Sequence, residues 1–168
     1  LLALLDEALA HHQFPMLADF ETPLELSRWD SRAPLAISDE QARHGRRSLR
    51  VRFTTERFST VGLRYFPRDW RAYQWLRFSV YNPDRQALML SLRIHDREHV
   101  RHGMPYLDRF NGHLAVHSGW NDYRIPLARI RQAPRGREMG LGTVAELAFF
   151  VTRQPRAKTL YFDALRLE

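Results

Sequence analysis

The chain has 168 residues, 44% of them hydrophobic and 12% aromatic, enough to bury the core of one domain and too apolar for a disordered segment. It contains no cysteine, which excludes disulfide staples and thiolate chemistry, and no apolar run long enough to span a bilayer. Formal net charge is +7, from 26 Lys and Arg against 19 Asp and Glu. Nearly all of the basic residues are Arg, and they are scattered rather than clustered. Scattered charge reads first as a soluble surface and second as affinity for an anionic partner. Nucleic-acid binding, which needs a basic stripe with exposed aromatics, is not expected.

Taken in chain order, Leu1 to His12 places Leu and Ala at helical spacing, so residues 1–13 are expected to be a helical linker or edge helix. The opening Leu-Leu-Ala-Leu-Leu lacks Met, a basic flank and a cleavage site, which predicts a cut from a longer protein. From Phe14 to Glu168 the pattern changes to short alternating runs separated by turns, one domain over 14–168. Strands are expected over 17–21, 35–37, 48–54, 60–66, 75–81, 88–96, 111–116, 121–126, 144–152 and 159–166. Turn signals include His44-Gly45, Asn82-Pro83 and Ser118-Gly119. Many short strands with such punctuation predict an all-β sandwich. Residues 125–142 read as a connection with one helical turn at 127–130.

The two clearest strands are Trp75–Tyr81 and Leu88–His95. In the first, Leu76, Phe78 and Val80 alternate with Trp75, Arg77, Ser79 and Tyr81; in the second, Leu88, Leu90, Leu92 and Ile94 alternate with Met89, Ser91, Arg93 and His95. Period-two alternation gives each strand one apolar and one polar face. If these strands pair, Arg64, Arg77, Tyr81, Arg93 and His95, with Trp75, form one patch suited to hydroxyl-rich ligands. Arg forks hold vicinal hydroxyls and rings stack on sugar faces. The long polar segment that starts at Asp96 adds Asp96, Tyr106, Arg109 and Asn111 to the site or its support. Internal salt bridges are the competing use of the same groups, because Asp96, Glu98 and Asp108 are near.

The order of motifs resembles the galactose-binding-like jelly rolls found as carbohydrate-binding modules, and the related complex I intermediate-associated domain. The motifs are Asp19-Phe-Glu21, His44-Gly-Arg-Arg-Ser-Leu49, Asp69-Trp70, Leu76-Arg-Phe-Ser-Val-Tyr-Asn82-Pro83, Arg93-Ile-His-Asp96, Arg109-Phe-Asn111, Gly119-Trp-Asn121 and Thr159-Leu-Tyr-Phe-Asp163. The likeness spans nearly everything after Leu17. The first dozen residues are also a little similar to segments of VanZ-like membrane proteins. The resemblance implies a jelly-roll β-sandwich with a short N-terminal helix. It further implies a non-catalytic module that binds a carbohydrate or polysaccharide on a concave sheet face. The Arg excess tilts the ligand toward an acidic glycan, and an extracytoplasmic or cell-envelope location follows. It also implies a structural Ca²⁺ tying the first and last strands, with Glu21 and Asp163 giving side chains and Asp19 and Arg46 carbonyls. The competing use of Asp163 is to accept backbone or Arg hydrogen bonds.

Two rivals share this fold: an assembly or protein-interaction module, and a polysaccharide-active enzyme with its carboxylates among Asp96, Glu98 and Asp108. No nucleophile elbow, phosphate loop or dinucleotide fingerprint is present. His95, His99, His102, His113 and His117 lack a carboxylate at zinc-motif spacing.

Overall fold

The computed structural model describes residues 1–168, the side chain of Leu2 excepted. Two antiparallel sheets face each other. The strands are β1 (Met16–Ala18), β2 (Trp29–Ser31), β3 (Leu35–Ser38), β4 (Ser48–Phe53), β5 (Ser59–Leu63), β6 (Trp75–Asn82), β7 (Leu88–Asp96), β8 (Phe110–Val116), β9 (Gly119–Pro126), β10 (Val144–Val151) and β11 (Lys158–Leu167). One sheet has the order β3-β4-β11-β6-β9, with β1 added along β11; the other runs β2-β5-β10-β7-β8. Three α-helices lie outside the sheets, α1 (Leu2–Gln13), α2 (Arg97–Arg101) and α3 (Leu127–Arg131), with two 3-10 helices at Pro23–Arg28 and Tyr106–Asp108.

Alternation builds the core. Leu76, Phe78 and Val80 of β6 and Leu90, Leu92 and Ile94 of β7 point inward from opposite sheets. Phe149 of β10 meets Phe78 at 5.1 Å and Phe162 of β11 at 4.7 Å between ring centres, so three rings join the two layers. Trp70 is fully buried, with its Nε1 donating to the Pro67 carbonyl, the turn-anchor role its position before a strand predicts.

Several boundaries differ from expectation for local reasons. The first strand stops at Ala18 because Phe20 adopts φ 62° and Asp19 accepts from the Glu21 amide, turning the chain away from the sheet. Residues 97–101, expected as loop, form α2 because the Asp96 carboxylate accepts from the His99 amide and caps the first turn. β2 was not expected at all; it is three residues long, too short for alternation to register.

The largest correction concerns β6 and β7, which do not pair. β6 lies between β11 and β9, while β7 lies between β10 and β8. Asn82 explains the crossing: its side-chain amide donates to the carbonyls of Gln86 and Val116 and its oxygen accepts from Asp84. The Asn-Pro-Asp turn therefore carries the chain from one sheet to the other instead of closing a hairpin.

Candidate functional site

This crossing splits the expected patch between two outer faces. Trp75, Arg77 and Tyr81 stand on the six-stranded sheet; Arg93, Asn111 and, just past the end of β5, Arg64 belong to the five-stranded one.

On the five-stranded face the register aligns Asp30, Gly62, Ala148, Arg93 and Asn111 in a single row across all five strands. Side chains in such a row share one face. Gly62 and Ala148 leave the middle low, while the charged residues stand at either side. A groove of about 310 Å³ results, lined by Asp30, Arg32, Phe58, Arg64, Arg93 and Glu146 among others. The Glu146 carboxylate leans over Gly62, where a Cβ would approach Oε1 to 3.2 Å. Arg93 donates to Glu146 at 3.2 Å, and His95 Nε2 stands 3.6 Å from its other oxygen, outside hydrogen-bond reach but inside ion-pair reach. His95 and then Arg93 hold the Glu146 carboxyl down at about 2, against its burial. Arg64 pairs with Asp30 at 2.7 Å.

Aromatic rings flank this row. Phe58 is 53% exposed and packs edge-on against Phe150, over which the Arg93 guanidinium also lies. On the β8 side Tyr106 is 56% exposed with the Arg109 guanidinium 5.0 Å from its ring centre. Arg109 donates to Asn111 at 2.8 Å, and Asn111 donates to the Tyr106 carbonyl at 2.9 Å. Tyr106, Arg109, Asn111, Arg93 and Arg64 are thus brought to one face. Phe58, Asp30 and Glu146 join them without having been singled out from sequence. Phe58 sits in a turn, where alternation carries no information, and Asp30 sits on the unexpected β2.

His95 and Asp96 do not reach that surface. His95 is buried, its ring 4.7 Å from that of His99. Asp96 is fully buried and gripped at 2.8 and 2.9 Å by both terminal nitrogens of Arg137, which also holds both oxygens of Asp108. Burial pushes the Asp96 carboxyl up, but Arg137 and the amides of Gly140 and His99 outweigh it and keep it below the ordinary range. Asp96 thus fastens α2 and the 137–140 segment to the end of β7, and two of the three carboxylates considered for an enzyme are committed to one guanidinium.

The residues expected around calcium also have other partners. Glu21 Oε1 accepts from the amides of Arg46 and Arg47 at 3.0 and 2.9 Å. Asp163 Oδ2 accepts from the amides of Arg43 and His44 at 2.6 and 2.8 Å, and its Oδ1 from Ala164 at 2.7 Å. Gly45, at φ 63°, lets the turn pass beneath Glu21, since a Cβ there would collide with that carboxylate. Arg46 thus presents its N–H to Glu21. Among the described residues no three His, Cys, Asp or Glu side chains are grouped to hold a metal. Glu21 Oε1 and both oxygens of Asp163 are engaged by backbone amides. The two acids cap the 43–47 turn through its amides.

The six-stranded face carries a second set. Arg50, Tyr161, Tyr81 and Trp120 lie in register across β4, β11, β6 and β9. Tyr81 is 5.3 Å from Trp120 and 6.0 Å from Tyr161 between ring centres. Trp75, expected as an open stacking surface, is covered by the Arg124 guanidinium at 3.5 Å. Arg77 is paired with Glu168.

Two antiparallel sheets, a central last strand and the first strand laid along it define the galactose-binding-like jelly-roll fold. No family model matches the chain, and no curated protein matches it. Solved structures do. A family 11 carbohydrate-binding module from Clostridium thermocellum, in complex with a β-1,3-1,4-mixed-linked tetrasaccharide, superposes with a TM-score of 0.67 at 16% identity, over 90% of this chain and 93% of that one. A family 30 module of a cellulosomal cellulase from the same organism gives 0.59 at 16%, over 83% and 89%. An exo-β-agarase gives 0.73 at 15% identity over 91% of this chain, which spans 24% of the agarase's length. At these identities the likeness is one of fold.

Proposed function

We propose that the chain is a non-catalytic carbohydrate-binding module that takes a glycan along the outer face of its five-stranded sheet. The observation that carries this reading is the row Asp30–Gly62–Ala148–Arg93–Asn111, low in the middle, polar at both sides and flanked by exposed rings. Carboxylate and guanidinium groups offer acceptors and donors to vicinal hydroxyls, and Phe58 and Tyr106 offer faces for stacking. The shared fold of modules solved from cellulose- and glucan-degrading systems supports the reading by analogy. The non-catalytic part draws support from Asp96 and Asp108, which Arg137 holds ionised and below the ordinary range, unsuited to donating a proton near neutrality.

Arg64 and Arg93 are each matched by a carboxylate, so these two pairs offer hydrogen bonds suited to the hydroxyls of a neutral glycan, while Arg32 stands unmatched among the described residues in the same groove. A glycan array probed with the wild type, Arg93→Ala and Phe58→Ala tests this. Saturable binding to a defined neutral glycan, lost in both variants with the fold intact by circular dichroism, is the expected result. A blank array would sink the reading and favour an assembly role for the same fold.

A further inference from the structure

Glu146 stands between the groove and the interior. Its Oε1 lies over Gly62 and accepts from Arg93, on the groove side. Its Oε2 faces inward, 3.6 Å from His95 Nε2. A register shift between Val144 and Glu146 makes this pair, because it sets Glu146 directly across from a buried His95. The other ring nitrogen, Nδ1, is 3.3 Å from the Asp96 carbonyl. Both nitrogens of His95 thus face an oxygen that can only accept, whereas a neutral imidazole has one N–H to offer. The two acceptors together call for the doubly protonated ring, and the Glu146 carboxylate is the counter-charge that lets it stand buried.

The groups packed around His95 favour the same state. On α2, His99 stacks against it, with Nδ1 3.0 Å from the Asp108 carbonyl and 3.4 Å from the Asp108 carboxylate. Burial first and the neighbouring His95 next lower the His99 pKa, so this ring stays neutral and leaves the charge to His95. On β7, Arg93 shares the Glu146 carboxylate, and Arg109 lies within the influence of both. The Asp96 and Asp108 carboxylates are taken by Arg137, and His102 also reaches Asp108. Among the described residues Glu146 is the carboxylate paired with His95.

We propose that His95 is a positioning residue for the groove: its second proton holds the Glu146 carboxylate over Gly62, and glycan affinity falls as that proton is lost. Once the ring is neutral, one of its two oxygens faces a lone pair, and Glu146 keeps Arg93 as its only charged partner. The carboxylate then loses the fixed angle at which it and Arg93 meet a hydroxyl. Affinity is therefore highest at the acid end of the range over which an imidazole changes charge, about pH 5 to 8, and declines toward the alkaline end. His95 serves the groove in this way without touching ligand. The effect on ligand rests on the glycan reading of the preceding section; the pairing of His95 with Glu146 does not.

The test has one arm without ligand and one with it. In isotope-labelled protein the imidazole nitrogen resonances are followed from about pH 5 to about pH 8. Both nitrogens of His95 are expected to carry protons at the acid end, and loss of one is expected to move the Glu146 carboxyl carbon and the Gly62 amide. In the second arm a mixed-linked β-glucan tetrasaccharide is titrated by calorimetry over the same range into wild type, His95→Gln and Glu146→Gln, with folding checked by circular dichroism. Wild-type affinity is expected to fall about fivefold or more from the acid to the alkaline end. His95→Gln, whose amide can donate to Glu146 at every pH, is expected to bind with a flat profile, and Glu146→Gln to lose the dependence as well. A His95 that keeps one protonation state throughout, or a Glu146 carboxyl that ignores its change, would overturn the proposal. So would a pH profile in His95→Gln equal to that of wild type. A tetrasaccharide that fails to bind at any pH, while the carboxyl follows His95, would sink the glycan reading and leave the positioning of Glu146 standing.

Discussion

The two outer faces of this sandwich are built from the same residue types and use them differently. On the five-stranded side, arginines stand beside acids across a floor of Gly62 and Ala148, and the aromatic rings lie at the margins. On the six-stranded side, Tyr161, Tyr81 and Trp120 run through the sheet itself; each face also keeps an exposed arginine with no carboxylate partner among the described residues, Arg52 here and Arg32 there. Composition alone treats these faces as equal. What separates them is which strand sits next to which, because strand pairing decides whether ion pairs or rings meet across the middle of each face.

The comparison is open to breakage at several points. The largest effect is expected from Arg137→Met, which leaves Asp96 and Asp108 without the guanidinium that both share. Removing one partner of such a buried network costs about 3–5 kcal/mol, to be read as a lower urea midpoint. The five-stranded groove, which depends on the end of β7, is expected to lose ligand along with stability, while the six-stranded face changes little.

Glu146→Gln follows. Its folded-state carboxyl lies near 2, below the ordinary value of 4.5, so its contribution is fully present above pH 4.5 and is lost as pH falls toward 2. The variant is expected to be less stable at pH 7, by on the order of 2 kcal/mol, and to lose part of its acid-limb dependence. Equilibrium unfolding across pH 2 to 7 checks this, on the order of a dozen points sufficing to define the slope. The same change frees Arg93, so the groove is expected to gain affinity for an anionic oligosaccharide such as tetragalacturonate, and unchanged affinity would mean that Glu146 does not set the charge of the groove.

Phe58→Ala is a smaller perturbation to the fold, within about 1 kcal/mol since half of the side chain is already in water. Its effect is expected on the neutral glycan, about tenfold in Kd. Smallest of all is the response to a chelator: thermal unfolding with and without EDTA should coincide, because Glu21 and Asp163 bind backbone amides. A lower unfolding temperature in EDTA would restore the calcium expectation.

Much of this molecule was legible in its sequence. Alternation in 75–81 and 88–96 located both strands and sorted their residues to an inward or outward side as far as Ile94, beyond which a register shift buries His95 and Asp96, and turn chemistry marked the sandwich. What alternation leaves open is the sheet to which a strand belongs. That was decided by the three hydrogen bonds of the Asn82 side chain, a local interaction that reads equally well as a hairpin turn. For the same reason Trp75 and Arg93 were grouped although they face opposite ways out of the molecule. Phe58, in a turn, and Asp30, on a three-residue strand, had no periodic context to lift them out. Asp96 shows a different gap: its partner Arg137 lies far along the chain in a Gly- and Pro-rich stretch, and no pattern connects the two.

One feature of the topology bears on how the chain is made. β11 lies between β4 and β6 and also carries β1, so the last strand of the sandwich is the middle of its larger sheet. Until residues 158–167 have left the ribosome, β3–β4 and β6–β9 are two separate ribbons with open edges and exposed apolar sides. Such ribbons are marginal alone and prone to pair with other chains. Synthesis of this domain therefore ends in one late, all-or-none closure, and a nascent chain stalled before Lys158 is the form most exposed to chaperones and proteases.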